Sequence, residues 1–192
     1  MPSGASTRKV LVALTLLGLV AVGAGTATFG AFSTVTGAAG NQFAAGTVAI
    51  ADNDAGTTML GFEDGGPGSS DTSCIRVTYS GSLDAEVRLY AAVAGDLAPY
   101  LTLTVTRGTD SSAFDTCGSF VPDAGGGVVY TGPLSAFPAD WSGGLVDALA
   151  GTPEVWQTSE AHAYRFTVSL GSNTAAQGRS ATASFTWEAR NL

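Results

Sequence analysis

From residue 42 onward, hydrophobic positions recur at every second residue. In YLTLTVTRG, Leu101, Leu103 and Val105 point one way and the intervening threonines the other. In AYRFTVSL, Tyr164, Phe166, Val168 and Leu170 share a face. In SATASFTWEAR, Phe185, Trp187 and Ala189 alternate with Ser184, Thr186 and Glu188. This period belongs to a strand with one buried and one wet face. QFAAGTVAIAD, SCIRVTYS, AEVRLYAAVA and VVYTGPLSAF alternate or are rich in strand formers, and TTMLGFE is a shorter candidate. Gly- and Asp-rich breakers, such as EDGGPGSSDTS and LGSNTAAQG, lie between them. The pattern predicts an all-β fold, an antiparallel jelly-roll-like β-sandwich of about eight strands. Only WSGGLVDALA suggests a helical turn or two. No repeat or second domain is visible.

The N-terminal region reads differently. Arg8 and Lys9 precede VLVALTLLGLVAVGAG, and no charged residue occurs from Val10 to Ala51. A basic start and an apolar core of about fifteen residues fit a secretory signal peptide, and are short for a membrane span of about 20. The expected division is a signal peptide over residues 1–30 and one β-sandwich domain over 31–192. Cuts after Ala27, Gly30 or Ala31 are all compatible with the small residues there. An uncleaved N-terminal anchor is the alternative. Either way the chain is expected to be exported, to the extracellular matrix or cell surface. After processing, no stable membrane insertion is expected.

Composition narrows the partners. The formal net charge is −8, with 16 Asp and Glu against 8 Lys and Arg. Nucleic acid and anionic lipid surfaces both call for clustered basic residues, so neither is expected as a partner. Lys9 is the only lysine. A mature chain without it has no amine side chain for a sortase-type or Lys–Asn isopeptide linkage. Cys74 and Cys117 are the only cysteines, and an even count in an exported chain points to one disulfide. Closing a loop of that length stabilises a fold by about 4 kcal/mol in the chain-entropy treatment.

Catalytic motifs are missing. There is no HExxH, G-x-S-x-G, P-loop or dinucleotide fingerprint in the sequence. His162 is the only histidine, so a zinc set would have to combine it with scattered carboxylates. Otherwise its ring is expected at the surface, at the start of a strand. Asp52 and Asp54, in Asp52-Asn53-Asp54-Ala55-Gly56, are candidate calcium ligands, with Glu63, Asp64 and Asp71 as further contributors. The competing reading is a turn whose Asx side chains cap the backbone. No other cofactor is expected. Trp141 and Trp156 lie in less regular segments and are candidates for a carbohydrate-binding surface, whereas Trp187 is in phase with Phe185 and is expected in the core.

Four features together resemble a known family. The leader runs into GTATFGAFS, followed closely by GNQFAAGTVAIAD. Gly66-Pro67-Gly68 precedes a strand that leads to GSLDAEVRLYA. FTWEARN lies near the end of the chain. This set is similar to the TasA/camelysin family of secreted Gram-positive biofilm-matrix fibre proteins, in an actinobacterial style. The most specific part is Phe43, Ala45, Gly46, Thr47 and Asp52, together with the leader. The resemblance implies a jelly-roll domain, export through a dedicated signal peptidase, and a place in matrix fibres, with accessory matrix proteins as partners. It also carries a metallo-endopeptidase label, which the absence of a metal-binding motif does not favour. The two cysteines and the scarcity of lysine depart from the bacillar members.

The segment 32–51 is therefore expected to act as a donor-like assembly strand, with Phe32, Val35, Phe43 and Val48 as its apolar side chains. It lacks charge and proline, the usual protections of an edge strand. Such a tail can add to the sheet of a second copy and so build head-to-tail filaments. It can also fold back as the first strand of its own sandwich. The functional expectation is a secreted structural subunit. The alternatives are a camelysin-like metallo-endopeptidase and a surface carbohydrate- or ligand-binding module.

Overall fold

A computed structural model describes residues 45–61, 65–110, 112–146 and 154–192. The expected leader, and Phe32, Val35 and Phe43 of the expected assembly strand, lie outside the described residues, as do Glu63 and Asp64. The residues from Gly46 to Leu192 form one compact unit.

That unit is an all-β sandwich of two antiparallel sheets. The nine strands among the described residues are β1 (Ile50–Asp52), β2 (Ser70–Tyr79), β3 (Ala85–Ala94), β4 (Leu101–Thr109), β5 (Val121–Pro122), β6 (Val128–Pro133), β7 (Leu145–Val146), β8 (Ala161–Leu170) and β9 (Thr182–Asn191). The six-stranded sheet runs β1-β2-β8-β4-β5, and β6 also pairs with β4. The three-stranded sheet runs β7-β3-β9. The long pairings join strands far apart in sequence: Cys74 lies opposite Arg165 between β2 and β8, and Leu89 opposite Trp187 between β3 and β9.

The period-two pattern sets the core. Ile75, Val77 and Tyr79 of β2, Val87 and Leu89 of β3, Leu103 and Val105 of β4, and Tyr164 and Phe166 of β8 are all buried between the sheets. Each large aliphatic or aromatic side chain so buried contributes about 1.5–3 kcal/mol relative to exposure. From β9, Phe185 and Trp187 add to this core. Phe185 lies 4.7 Å from Phe166 and Trp187 5.4 Å from Tyr164, measured between ring centroids.

Cys74 points to the opposite face of β2 from Ile75, yet it is buried. The loop from 112 to 120 covers it: Cys74 and Cys117 form a disulfide, and the Asp115 amide donates to the Cys74 carbonyl at 3.1 Å. The Arg165 guanidinium lies 4.8 Å from the Phe120 ring on the same side. The disulfide therefore fastens a loop over the outer face of the larger sheet.

Two expected elements differ. Residues 57–61 of TTMLGFE form no strand. Ala55 (φ 53°) and Gly56 (φ 78°) turn the chain through left-handed backbone, and Met59 and Leu60 then pack on the core without a sheet partner. WSGGLVDALA begins with a single turn, in which the Gly144 amide donates to the Trp141 carbonyl at 3.2 Å. Two consecutive glycines discourage helix continuation, and Leu145 instead pairs with Leu89 in β7.

The segment before β1 rests on its own sandwich. The Thr47 carbonyl accepts from the Ser82 and Leu83 amides at 2.8 and 3.2 Å, and Ser80 donates to Ala49 at 2.8 Å. β1 then pairs with β2, with Ile50 opposite Tyr79. Val48 lies in this stretch, 37% exposed. The expected donor strand 32–51 thus ends in residues that are bound to their own domain.

Candidate groove and free edge

β9 is the longest strand of the smaller sheet together with β3, and its edge position follows from the topology. Ten residues of β9 pair with ten of β3, from Thr182 opposite Ala94 to Asn191 opposite Ala85. Among the described residues β9 has no other strand partner. The alternation puts Phe185 and Trp187 inward and Ser184, Thr186 and Glu188 outward. From Thr182 to Trp187 the edge has neither charge nor proline. An edge of this length and composition lacks the features that normally block pairing with another chain.

Beneath the start of β9 is a recess of about 560 Å³. Ile75, Leu103 and Val168 come to it from the larger sheet, Leu134 from the turn after β6, and Phe185 and Trp187 from β9. Asp52, Asp54, residues 56–61 and residues 181–184 also line it. Protein interiors ordinarily leave few voids larger than a water molecule. A space of this volume between two sheets has room for several additional apolar side chains. The buried Trp187 Nε1 in its wall has no hydrogen-bond partner among the described residues.

The Asp52–Gly56 stretch forms a turn. Asp52 Oδ1 accepts from the Asp54 amide at 3.2 Å, and Asp54 Oδ1 from the Gly56 amide at 2.6 Å. Asn53 Oδ1 accepts from the Arg76 amide at 2.9 Å. Asp71 is used in the same way, by the Gly61 and Thr72 amides at 2.8 Å each. Of the candidate calcium ligands, Asp52, Asp54 and Asp71 therefore cap backbone, and no third metal-ligating side chain joins Asp52 and Asp54 among the described residues. Burial pushes the Asp52 carboxyl above its ordinary range; a hydrogen bond from the Asp54 amide opposes this, while the Asp54 side chain adds to it.

The tryptophans divide differently from expectation. Trp156 is fully buried: its backbone forms a bridge with Ala85, and its ring meets His162 edge-on at 4.6 Å. It is a core residue, and a carbohydrate surface cannot include it. Trp141 is half-buried, with the guanidinium groups of Arg190 and Arg88 at 4.2 and 5.0 Å from its ring centroid. Trp187 packs against the core and remains partly exposed.

His162 is also placed differently. Its side chain is only 13% exposed, and Nε2 lies 3.0 Å from Glu160 Oε1 and 3.9 Å from Glu154 Oε2. The inward alternation of β8, followed back from Tyr164, reaches His162 and then Glu160. That was the available sequence signal for this pair. Glu154 precedes β8 in an irregular segment, and nothing in the periodicity marks it.

No known family model matches this chain, and no curated protein matches it in sequence.

Proposed function

We propose that this chain is a secreted structural subunit of extracellular matrix or cell-surface fibres. In this reading the N-terminal segment of one copy adds as a strand to the groove of the next. The observation that carries it is the uncharged first half of β9, unpaired among the described residues, above a recess lined mainly by apolar side chains. Main-chain hydrogen bonds to the β9 edge would supply affinity, and alternate side chains entering the recess would supply register.

The arrangement of the tail refines the donor. Residues 47–52 are held by the β2–β3 turn and by β2, so the donated part is 32–44. Extended, these thirteen residues span about 43 Å, and a ten-residue strand about 33 Å. The tail is therefore long enough to run the length of β9. Phe32, Val35 and Phe43 are its apolar side chains, and Val48 belongs to the anchor. Donation to a second copy is a head-to-tail contact, which propagates as a filament unless its rotation closes a ring. Before assembly the same tail can occupy its own groove.

The finer expectations belong to this reading. The β2–β8 and β3–β9 pairings between distant strands support a jelly-roll class of sandwich. The N-terminal pattern supports a signal peptide over 1–30, and the resemblance to TasA/camelysin matrix proteins implies its removal by a dedicated peptidase. Deleting residues 32–41 from the processed protein should abolish filaments in negative-stain micrographs while leaving the thermal melt of the sandwich in place. Filaments that persist in the deletion variant would refute the proposal.

A further inference from the structure

The start of β8 carries a separate cluster of polar side chains. Val168, which lines the recess, is six residues further along β8 than His162, or about 20 Å at strand rise. At the His162 end, one ligand atom from each of Glu154, Glu160 and His162 lies within 4.8 Å of the others. We infer that Glu154, Glu160 and His162 form a divalent-metal site, with zinc as the best-fitting ion.

Geometry is the first argument. Zinc bonds of about 2.0–2.2 Å at tetrahedral angles place ligand atoms about 3.4 Å apart. The His162 Nε2 separations from Glu160 and Glu154, 3.0 and 3.9 Å, bracket that value. Glu160 and His162 are two residues apart at the entrance of a strand, so their side chains share a face. Small side-chain movements suffice to close the set.

The ligands are also held in place. The Gln157 amide donates to Glu160 Oε2 at 2.8 Å, which turns Oε1 toward His162. Trp156 backs the imidazole edge-on. Arg107 Nη1 binds Glu154 Oε2, and its Nε binds Asp123 Oδ2 at 2.5 Å. A carboxylate has about four lone-pair positions, so Glu154 can accept from Arg107 and still coordinate an ion.

Charge points the same way. Among the described residues, Asp123, Glu154 and Glu160 bring three carboxylates to this end of the sandwich, and Arg107, only 7% exposed, brings one guanidinium. A dication balances the surplus of two negative charges on these groups. One imidazole nitrogen and two carboxylate oxygens suit zinc better than calcium or magnesium, which take oxygen alone. The 37% exposure of Glu154 leaves a side open for a water ligand. Every carboxylate in the group is either a ligand or bound to Arg107, so the role assigned is a clip. It fastens the segment that precedes β8 to β8, beside the Arg107 ion pair that ties Glu154 to β4.

The test uses the processed full-length protein, purified without chelator, incubated with zinc chloride and then gel-filtered. Elemental analysis should find about one zinc per chain, and zinc at a hundred times its Kd should raise Tm by about 5 °C or more. Glu160→Gln, which preserves side-chain volume and the acceptor for Gln157, should retain less than about a tenth of the metal, with an unchanged circular dichroism spectrum. His162→Ala should behave likewise. Should that variant fail to fold, X-ray absorption of the zinc-loaded wild type, reading one nitrogen and otherwise oxygen ligands, replaces it. A wild type that emerges free of zinc overturns the inference, and so does equal retention by Glu160→Gln.

Discussion

Gly81 lies against the backbone of Thr47: a β-carbon at position 81 would sit 2.6 Å from the Thr47 carbonyl oxygen and 2.2 Å from the Tyr79 hydroxyl. Tyr79 is fully buried, and its hydroxyl donates to the Leu83 carbonyl. Neither neighbour can move away without breaking a hydrogen bond. Gly81→Ala is expected to destabilise the domain by about 1–3 kcal/mol through overpacking. Denaturant melts would measure the loss. Hydrogen exchange at the Ser80 and Ser82 amides should rise more than exchange in β8, because the anchor of the N-terminal segment is what the methyl displaces.

Trp156 and Trp141 make a paired comparison. Trp156→Ala removes a fully buried ring and is expected to cost about 3–5 kcal/mol. Trp141→Ala removes a half-buried ring with two guanidinium neighbours and should cost about 1 kcal/mol or less. Equilibrium unfolding of both variants decides the ranking. Equal losses would contradict the placement of one ring in the core and the other at the surface.

The free edge of β9 has its own test. Thr182 and Ser184 are exposed on the outward face. Lysine at both positions adds the charged protection that edge strands usually carry. The double variant should melt within about 2 °C of the wild type, as surface changes do, and should fail to form filaments. Filaments of normal length from this variant would exclude β9 as the acceptor while leaving tail donation elsewhere possible.

A pH effect follows from Asp52. Its folded-state pKa lies above the ordinary value of 3.8, first through burial and then through the Asp54 side chain. Between the unfolded and folded values the folded chain binds more protons, so stability falls as pH rises through that window. Asp52→Asn should therefore raise Tm at neutral pH, and the gain should fade as pH drops toward 3.8. Asp110 has the opposite sign. Burial raises its pKa, but hydrogen bonds from Ser112 and Ser119 outweigh that and hold it below 3.8. Its contribution is present at neutral pH and lost as pH falls through the lowered value. Melts of Asp52→Asn against wild type across pH 3–7 would read the difference.

Much of the sandwich was legible because burial on one face leaves a mark in the sequence. Leu101, Leu103 and Val105, or Tyr164, Phe166 and Val168, announce both a strand and its inward side. The disulfide was legible from the count of cysteines. Pairing is another matter. β9 alternates as regularly as β8, yet among the described residues β8 has partners on both sides and β9 on one, and no residue-level pattern separates an edge from an interior strand. Residues 57–61 have strand-forming composition, but the left-handed turn at Ala55 and Gly56 decides their path. The cluster around His162 was half legible: extending the β8 alternation reaches His162 and Glu160, while Glu154 arrives through a loop. The turn reading of Asp52 and Asp54 was available from Asx chemistry, and the backbone capping has that form.

The one-sided pairing of β9 gives any polymer built on it two unlike termini. One terminus shows a vacant groove, and the other an unspent tail. A short peptide copying residues 32–44 would cap the first terminus, and a sandwich shorn of its tail would cap the second. Chain growth could thus be halted from either end by a different molecule, with no change to the subunits already in place.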